Sequence, residues 1–328
     1  MGDSMPAPAP RLRLGISSCL LGQRVRYDGG DKRAPLLSEV VGARVDWVPV
    51  CPEVELGLGT PRPPMVLRRA NGAPRLWTPS TGIDHSEPMR RWARQGIAAL
   101  REAGIAGYVL KSRSPSCGLR SVAVEDAAGE RVATGSGVFA AALCRHLPRL
   151  PVAEDQELED PAALAQFLRR AFFFRRWRER AEPLAEFHRR NRALLLASGA
   201  AATRRLDRQL AAAGEETPEL VEHYGHQALR VLRHVPSRRC HARNLGWVVG
   251  HLVLQAGDRE RRANVEAYRA YARGELPWAA AAVQLRRSAE SLCNEPVLGS
   301  TYLFPEPAEW DLLVRLDGLQ PIECAPVN

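Results

Sequence analysis

A change of pattern near residue 160 constrains this chain more than any other feature. Before it, short β-rich runs alternate with stretches of helical spacing, the order expected of a mostly parallel sheet covered by helices. After Pro161 the β pattern stops, and long Ala-, Leu- and Arg-rich segments predict helices alone. The expected fold is therefore an α/β N-terminal domain over residues 11–155, with a mostly parallel sheet, and an all-α C-terminal domain over 160–328. The acidic, Pro-containing stretch 153–161 reads as the link between them. At 328 residues the chain is long enough for two cores. Strands are expected at 13–17, 45–50 and 107–111, with helices at 87–103 and 136–146. In the second part, helices are expected at 161–180, 183–196, 203–213, 218–234, 239–255, 259–273 and 277–292.

The net charge is +9, and Lys32 and Lys111 are the only lysines, so Arg carries almost all of the positive charge. Residues 160–270 hold 21 Arg against 12 Asp plus Glu, so this segment holds an excess of nine and the remainder of the chain is neutral. No run of about 20 apolar residues could span a bilayer, and the opening MGDSMPAPAPRLRLG has no apolar signal core. A cytoplasmic protein without membrane contact is expected. Seven cysteines are too few for a disulfide scaffold, which leaves each as a thiol or a ligand.

Three of these cysteines follow predicted strands: Cys19 ends LRLGISSC, Cys51 ends VDWVPVC, and Cys117 follows GYVLKSRSPS. In an open parallel sheet the carboxyl ends of the strands face one crevice, so thiols distant in sequence can converge there. Residue types alone leave three readings: buried inert thiols, a three-Cys zinc site, or a 4Fe-4S cluster with one iron free for a substrate. The Gly, Pro and Ser around each thiol suit turns better than strand interiors. Cys144, Cys240 and Cys293 read as core, and Cys324 lies in a Pro-containing tail.

The blocks SSCLLGQRVRYDGG, PVCPEVELGLGTPRPP, TGIDHS and LKSRSPSCG, in this order within residues 11–160, resemble the thiouracil desulfidase family. FHRRNRALLLASG, CHARNLGWVVGHL, YRAYARGELPWAAAAVQLRR and TYLFPEP are similar to the YbgA-type helical domain, which is often fused to it. Chains with both parts resemble desulfidases that convert 4-thiouridine in tRNA to uridine. The resemblance implies that Cys19, Cys51 and Cys117 hold a 4Fe-4S cluster whose fourth iron binds the substrate sulfur. It implies Glu53 as catalytic acid/base and Ser114 as an active-site hydroxyl, with tRNA as partner. Action on free thiouracil or thionucleosides is the enzymatic alternative, and a non-catalytic RNA-binding protein with a structural metal is the other. The basic stretch VLRRANGAPRLW departs from the family in a variable loop.

Chemistry gives these residues independent roles. Replacing C=S by C=O needs a thiophile for the sulfur, an activated water and delivery of a proton. Glu53 suits the last two tasks, against the plain alternative of a solvated surface carboxylate. Ser114 equally suits a turn before Pro115. Arg26, Tyr27 and Asp28, in RYDGG, follow Cys19 closely enough to position a substrate, although an Asp-Gly turn also accounts for them. Lys111, beside Cys117, suits phosphate binding or the rim of the sheet. In FLRRAFFFRRWRER, Arg169, Arg170, Arg175, Arg176 and Arg178 are expected to form an RNA-binding face, the alternative being an ordinary solvated one. His223 and His226 suit packing or RNA contacts rather than a metal site.

Overall fold

The computed structural model describes residues 11–70 and 74–319. They divide into two compact units after Glu157. The strands of the first unit are β1 (Leu12–Ser17), β2 (Val45–Val50), β3 (Val66–Arg68), β4 (Arg75–Thr78), β5 (Ile83–Asp84), β6 (Tyr108–Leu110), β7 (Val122–Glu125), β8 (Arg131–Gly135) and β9 (Val152–Glu154). Its helices are α1 (Pro52–Glu55), α2 (Ser86–Glu102) and α3 (Val138–His146).

β2, β1, β6 and β9 form, in that order, a four-stranded sheet in which every pairing is parallel. Leu12, Leu14 and Ile16 of β1 are fully buried, as expected of a strand inside a parallel sheet. Each contributes about 1.5–3 kcal/mol by leaving water. Gly15 is paired in register with Tyr108 on β6. A Cβ at Gly15 would lie 2.2 Å from the Tyr108 ring, so only glycine leaves the ring its place. The far side of that ring meets Phe139 of α3 edge-on at 5.7 Å.

A second sheet, ordered β5-β4-β3-β7-β8, is mixed, with only β3 and β7 parallel. Sequence reading had no strand in this region. Leu67, Leu76, Met89, Val122, Val124 and Val138 form the core that joins this sheet to α2 and α3. The acidic stretch 153–161 is also more than a link. Ala153 and Glu154 belong to β9, and the Glu154 carboxylate accepts the Leu119 amide at 2.7 Å.

The second unit contains α4 (Pro161–Glu179), α5 (Leu184–Ala212), α6 (Pro218–Val231), α7 (Arg238–Leu252), α8 (Asp258–Arg273), α9 (Trp278–Ser291), α10 (Glu295–Leu298) and α11 (Pro307–Asp317). The expected fold class holds: a parallel sheet with helices, followed by a helical region. Two expected helices are one, α5, kinked at Gly199. The helices α10 and α11 were not anticipated.

The main correction concerns α4. Its buried residues run around the whole helix, including Leu164, Gln166, Phe167, Arg169, Phe172, Phe173 and Trp177, so it lies inside the unit. Arg169 is only 6% exposed. Arg175 pairs with Glu306, and Arg176 with Glu306 and the buried Glu309. Arg170 is half-buried and engaged, and Arg178 is exposed with its guanidinium over the Phe174 ring at 5.4 Å. These arginines therefore do not make a free basic face. Their acidic partners stand about 130 residues downstream, on or beside α11.

Candidate active site

The three candidate ligands meet beyond the carboxyl ends of β1, β2 and β6. Cys19 sits in a 3-10 turn directly after β1, Cys51 at the amino end of α1 directly after β2, and Cys117 in the loop that follows β6. Cys19 and Cys117 are buried and Cys51 is half-buried. Burial pushes the Cys19 thiol up to about 11, with further upward pressure from Cys51 and a partial offset from Lys111 and Arg26. Burial likewise raises Cys51, where Glu53 adds to the effect. Cys117 is raised well above the usual thiol range by burial, then by Glu53, Cys51 and Cys19. Burial is thus the largest influence on each thiol, and the neighbouring charges act on all three.

The surrounding loops are bound together locally. The Ser114 hydroxyl accepts the amides of Ser116 at 3.3 Å and Cys117 at 3.1 Å, and so shapes the turn that presents Cys117. Gly118 and Gly137 flank that turn, and a Cβ at either would fall within 2.5 Å of its neighbours. Lys111 donates to Asp155 at 2.7 Å and to Ser112 at 2.9 Å, while Asp155 also accepts the Ser112 amide at 2.7 Å. Lys111 is placed beside Cys19 as a loop clamp, and its main partner is a carboxylate.

Glu53, two residues after Cys51, is held by Arg62. Both Nε and Nη2 of Arg62 donate to the same carboxylate oxygen, Oε2, at 2.9 and 2.5 Å. Arg62 and Glu53 side chains are 5% and 13% exposed, so solvent screens this pair only weakly. Oε1 of Glu53 has no hydrogen-bond partner among the described residues. Arg62 also donates to the Gly59 carbonyl at 2.7 Å, and its own amide bonds to the Tyr27 carbonyl at 2.9 Å. The GTPRP loop is thereby tied both to α1 and to the RYDGG turn.

In that turn Arg26 forks onto Asp28 at 3.3 and 3.2 Å, and Asp28 accepts the Gly30 amide at 3.0 Å. These bonds hold the Asp28 carboxyl below its usual range. Tyr27 is 43% exposed, with the Arg26 guanidinium 5.3 Å from its ring centre. The charge of Arg26 also acts on Cys19, whereas Tyr27 and Asp28 are exposed.

Sequence reasoning missed three residues here: Arg62, Asp155 and Tyr108. Tyr108 carries a fully buried hydroxyl with no hydrogen-bond partner among the described residues. Burial raises the Tyr108 phenol well above its usual range, and the charges of Cys117, Glu55, Cys51 and Cys19 add to the effect. Among the described residues no three His, Cys, Asp or Glu side chains stand close enough to share one metal ion. The remaining cysteines are elsewhere: Cys144 is half-buried on α3, Cys240 half-buried on α7 and Cys293 exposed, while Cys324 lies outside the described residues. His223 and His226 are both exposed on α6.

Two family profiles match separate parts of the chain. A profile of the family described as 2-thiouracil desulfurase matches residues 14–155. One described as a protein of unknown function, DUF1722, matches residues 192–307. The protein YbbK of Bacillus subtilis (strain 168), described as uncharacterized, is 33% identical over 134 residues, which cover 39% of this chain and 87% of YbbK. A solved structure of TudS, described as a 4Fe-4S-dependent thiouracil desulfidase, is 34% identical, covering 45% of this chain and 94% of that one, with a TM-score of 0.38. Through its N-terminal unit, the chain belongs to the 2-thiouracil desulfurase family.

Proposed function

We propose that this protein is a desulfidase that converts 4-thiouridine in tRNA to uridine with release of sulfide, using a 4Fe-4S cluster held by Cys19, Cys51 and Cys117. The observation that carries the reading is the meeting of three thiols from three strand ends beside an ion-paired carboxylate. The donor set fits such a group. Three cysteine thiols that leave a fourth ligand position open suit a 4Fe-4S cluster that binds its substrate at one iron. When bound, such a cluster supplies a Lewis-acidic iron for the thione sulfur.

The residues of the chain supply the rest. Glu53 accepts a proton from the attacking water through its free Oε1 and returns one to the ring nitrogen or the departing sulfur. Water thus provides the oxygen of the new C=O, and sulfur leaves as sulfide. Arg62 fixes the carboxylate by occupying Oε2 with two bonds. Ser114 holds Cys117 in place through backbone amides, and its own hydrogen remains available to the substrate. Arg26 positions the substrate near Cys19, with Tyr27 and Asp28 at the edge of the site, and Lys111 secures the loop beneath.

Two variants separate these roles. Glu53→Gln is expected to keep the visible absorption of the cluster and lose turnover by roughly 100-fold, the scale of a general acid/base. Parallel loss of iron and activity would make Glu53 a ligand instead. Arg62→Met is expected to slow turnover by roughly tenfold or more through a misplaced carboxylate, again with iron retained. An unchanged rate in Arg62→Met would remove Arg62 from the mechanism.

The tRNA part of the proposal rests on the charge excess of the helical unit. With the α4 arginines engaged inside that unit, the exposed Arg204, Arg205, Arg208, Arg230, Arg233 and Arg239 take their place. None of the six pairs with a carboxylate among the described residues. No described helix is long and apolar enough to cross a membrane, and a cytoplasmic location follows from an RNA substrate. Anaerobic incubation of the reconstituted protein with bulk tRNA, 4-thiouridine or 2-thiouracil, followed by nucleoside analysis, tests the reading. Turnover of the free compounds but not of tRNA would select the free-thiobase alternative.

A further inference from the structure

We propose that the helical unit carries a second binding site, for a phosphate-bearing ligand of nucleotide size, in the cavity at the amino ends of α4, α7 and α9. The cavity has a volume of about 410 Å³ and is lined by, among others, Asp160, Arg169, Ser237, Arg238, Tyr271 and Trp278. Three helix starts meet there: Asp160 caps α4, Ser237 caps α7, and Trp278 begins α9. Helix amino ends present partial positive charge and attract oxyanions.

Arg169 supplies the independent observation. It is 94% buried, given its 6% exposure, and it lines the cavity. Among the described residues its guanidinium makes no hydrogen bond or ion pair, and its contact is the Trp278 indole at 5.1 Å. A buried guanidinium without an anionic partner is costly, so a residue of this kind is expected to have a counterion. Of the two carboxylates whose charge acts on Arg169, Glu309 is ion-paired to Arg176 and Asp317 accepts the Ala279 amide at 2.7 Å, while Asp160 in the cavity lining accepts the Ala162 amide at 3.0 Å. His241 adds no negative charge. Burial and the charge of Arg169 lower its pKa to about 3, and its Nδ1 is 2.8 Å from the Tyr302 hydroxyl.

Arg238 stands at the same opening, 5.3 Å from the Tyr271 ring centre, with Nη1 donating to the Tyr271 and Leu276 carbonyls. Its Nε and Nη2 make no hydrogen bond among the described residues. Two guanidiniums with free donors match the oxygens of a phosphate. The indole of Trp278 and the phenol of Tyr271 offer flat walls for a base, and the volume suits a mononucleotide. That chemistry can come from a free nucleotide or from one residue of an RNA strand.

The test is calorimetric titration of the full-length protein with inorganic phosphate, uridine 5′-monophosphate, uridine and a short oligouridylate. The monophosphate is expected to bind, inorganic phosphate to bind more weakly, and uridine to give no heat. Tighter binding of the oligonucleotide assigns the site to a strand, and the reverse order to a free nucleotide. Saturating monophosphate is expected to raise Tm by about 3 °C or more. Arg169→Met is expected to weaken monophosphate binding at least tenfold while leaving the ligand-free Tm unchanged or higher, because an unpaired charge is removed. If that variant fails to fold, Arg238→Gln carries the same affinity test. Absence of heat and of a Tm shift with millimolar phosphate and monophosphate overturns the proposal, as does wild-type affinity in a folded variant.

Discussion

Anaerobically reconstituted Cys51→Ala protein is expected to hold no stable iron–sulfur cluster and to release no sulfide from a thiolated pyrimidine. Three protein thiolates are the smallest set that leaves one iron of a cube open to substrate, so no spare ligand compensates for the loss. The same result is expected of Cys19→Ala and Cys117→Ala. Cys144→Ala provides the control, because Cys144 is not among the groups acting on the three thiols. It should retain both iron and activity. The measurements are iron and sulfide content, visible absorption and sulfide release under exclusion of oxygen. Full activity in the Cys51→Ala protein would end the cluster assignment, and zinc in place of iron in the active wild type would return the three-Cys zinc reading.

The positions of these cysteines were legible because a local signal and a topological rule coincide. β1, β2 and β6 each read as an apolar β run, and a parallel sheet brings their ends to one side. What escaped was whatever depends on a partner distant in sequence. Arg62 lies in a loop rich in Gly and Pro, where nothing local indicates that its guanidinium grips Glu53. Asp155 looked like part of an acidic link, yet it clamps Lys111 from 44 residues away. The second sheet escaped for another reason. Its strands β3 and β5 are only 3 and 2 residues long, too short for an alternating pattern to show. The arginines of α4 misled because composition reports charge and says nothing about neutralisation. Glu306 and Glu309 come from a part of the chain where no helix was expected, and they take up two of the arginines of the expected RNA face in ion pairs.

That correction changes how RNA binding is tested. Reversing Arg176 would strand the buried Glu309, and breaking a buried pair typically costs about 3–5 kcal/mol, so such a variant reports on folding. Arg204, Arg205 and Arg208 are the better probes: all three are exposed near the end of α5 and free of carboxylate partners among the described residues. If the exposed arginines neutralise six or more phosphates, wild-type affinity for tRNA is expected to fall by about 10³-fold or more between about 50 and 200 mM salt. Replacing Arg204, Arg205 and Arg208 by Glu should weaken binding at low salt and flatten the log–log salt slope by roughly two to three units, with helical circular dichroism unchanged. Turnover of free 4-thiouridine, if measurable, should be unaffected, since the substitutions leave the N-terminal unit untouched. Wild-type tRNA affinity and slope in this variant would remove α5 from the interface. A wild-type protein whose affinity ignores salt would go further, because the Arg-rich segment 160–270 would then have no electrostatic part in substrate choice, leaving the free thiobase as the favoured substrate.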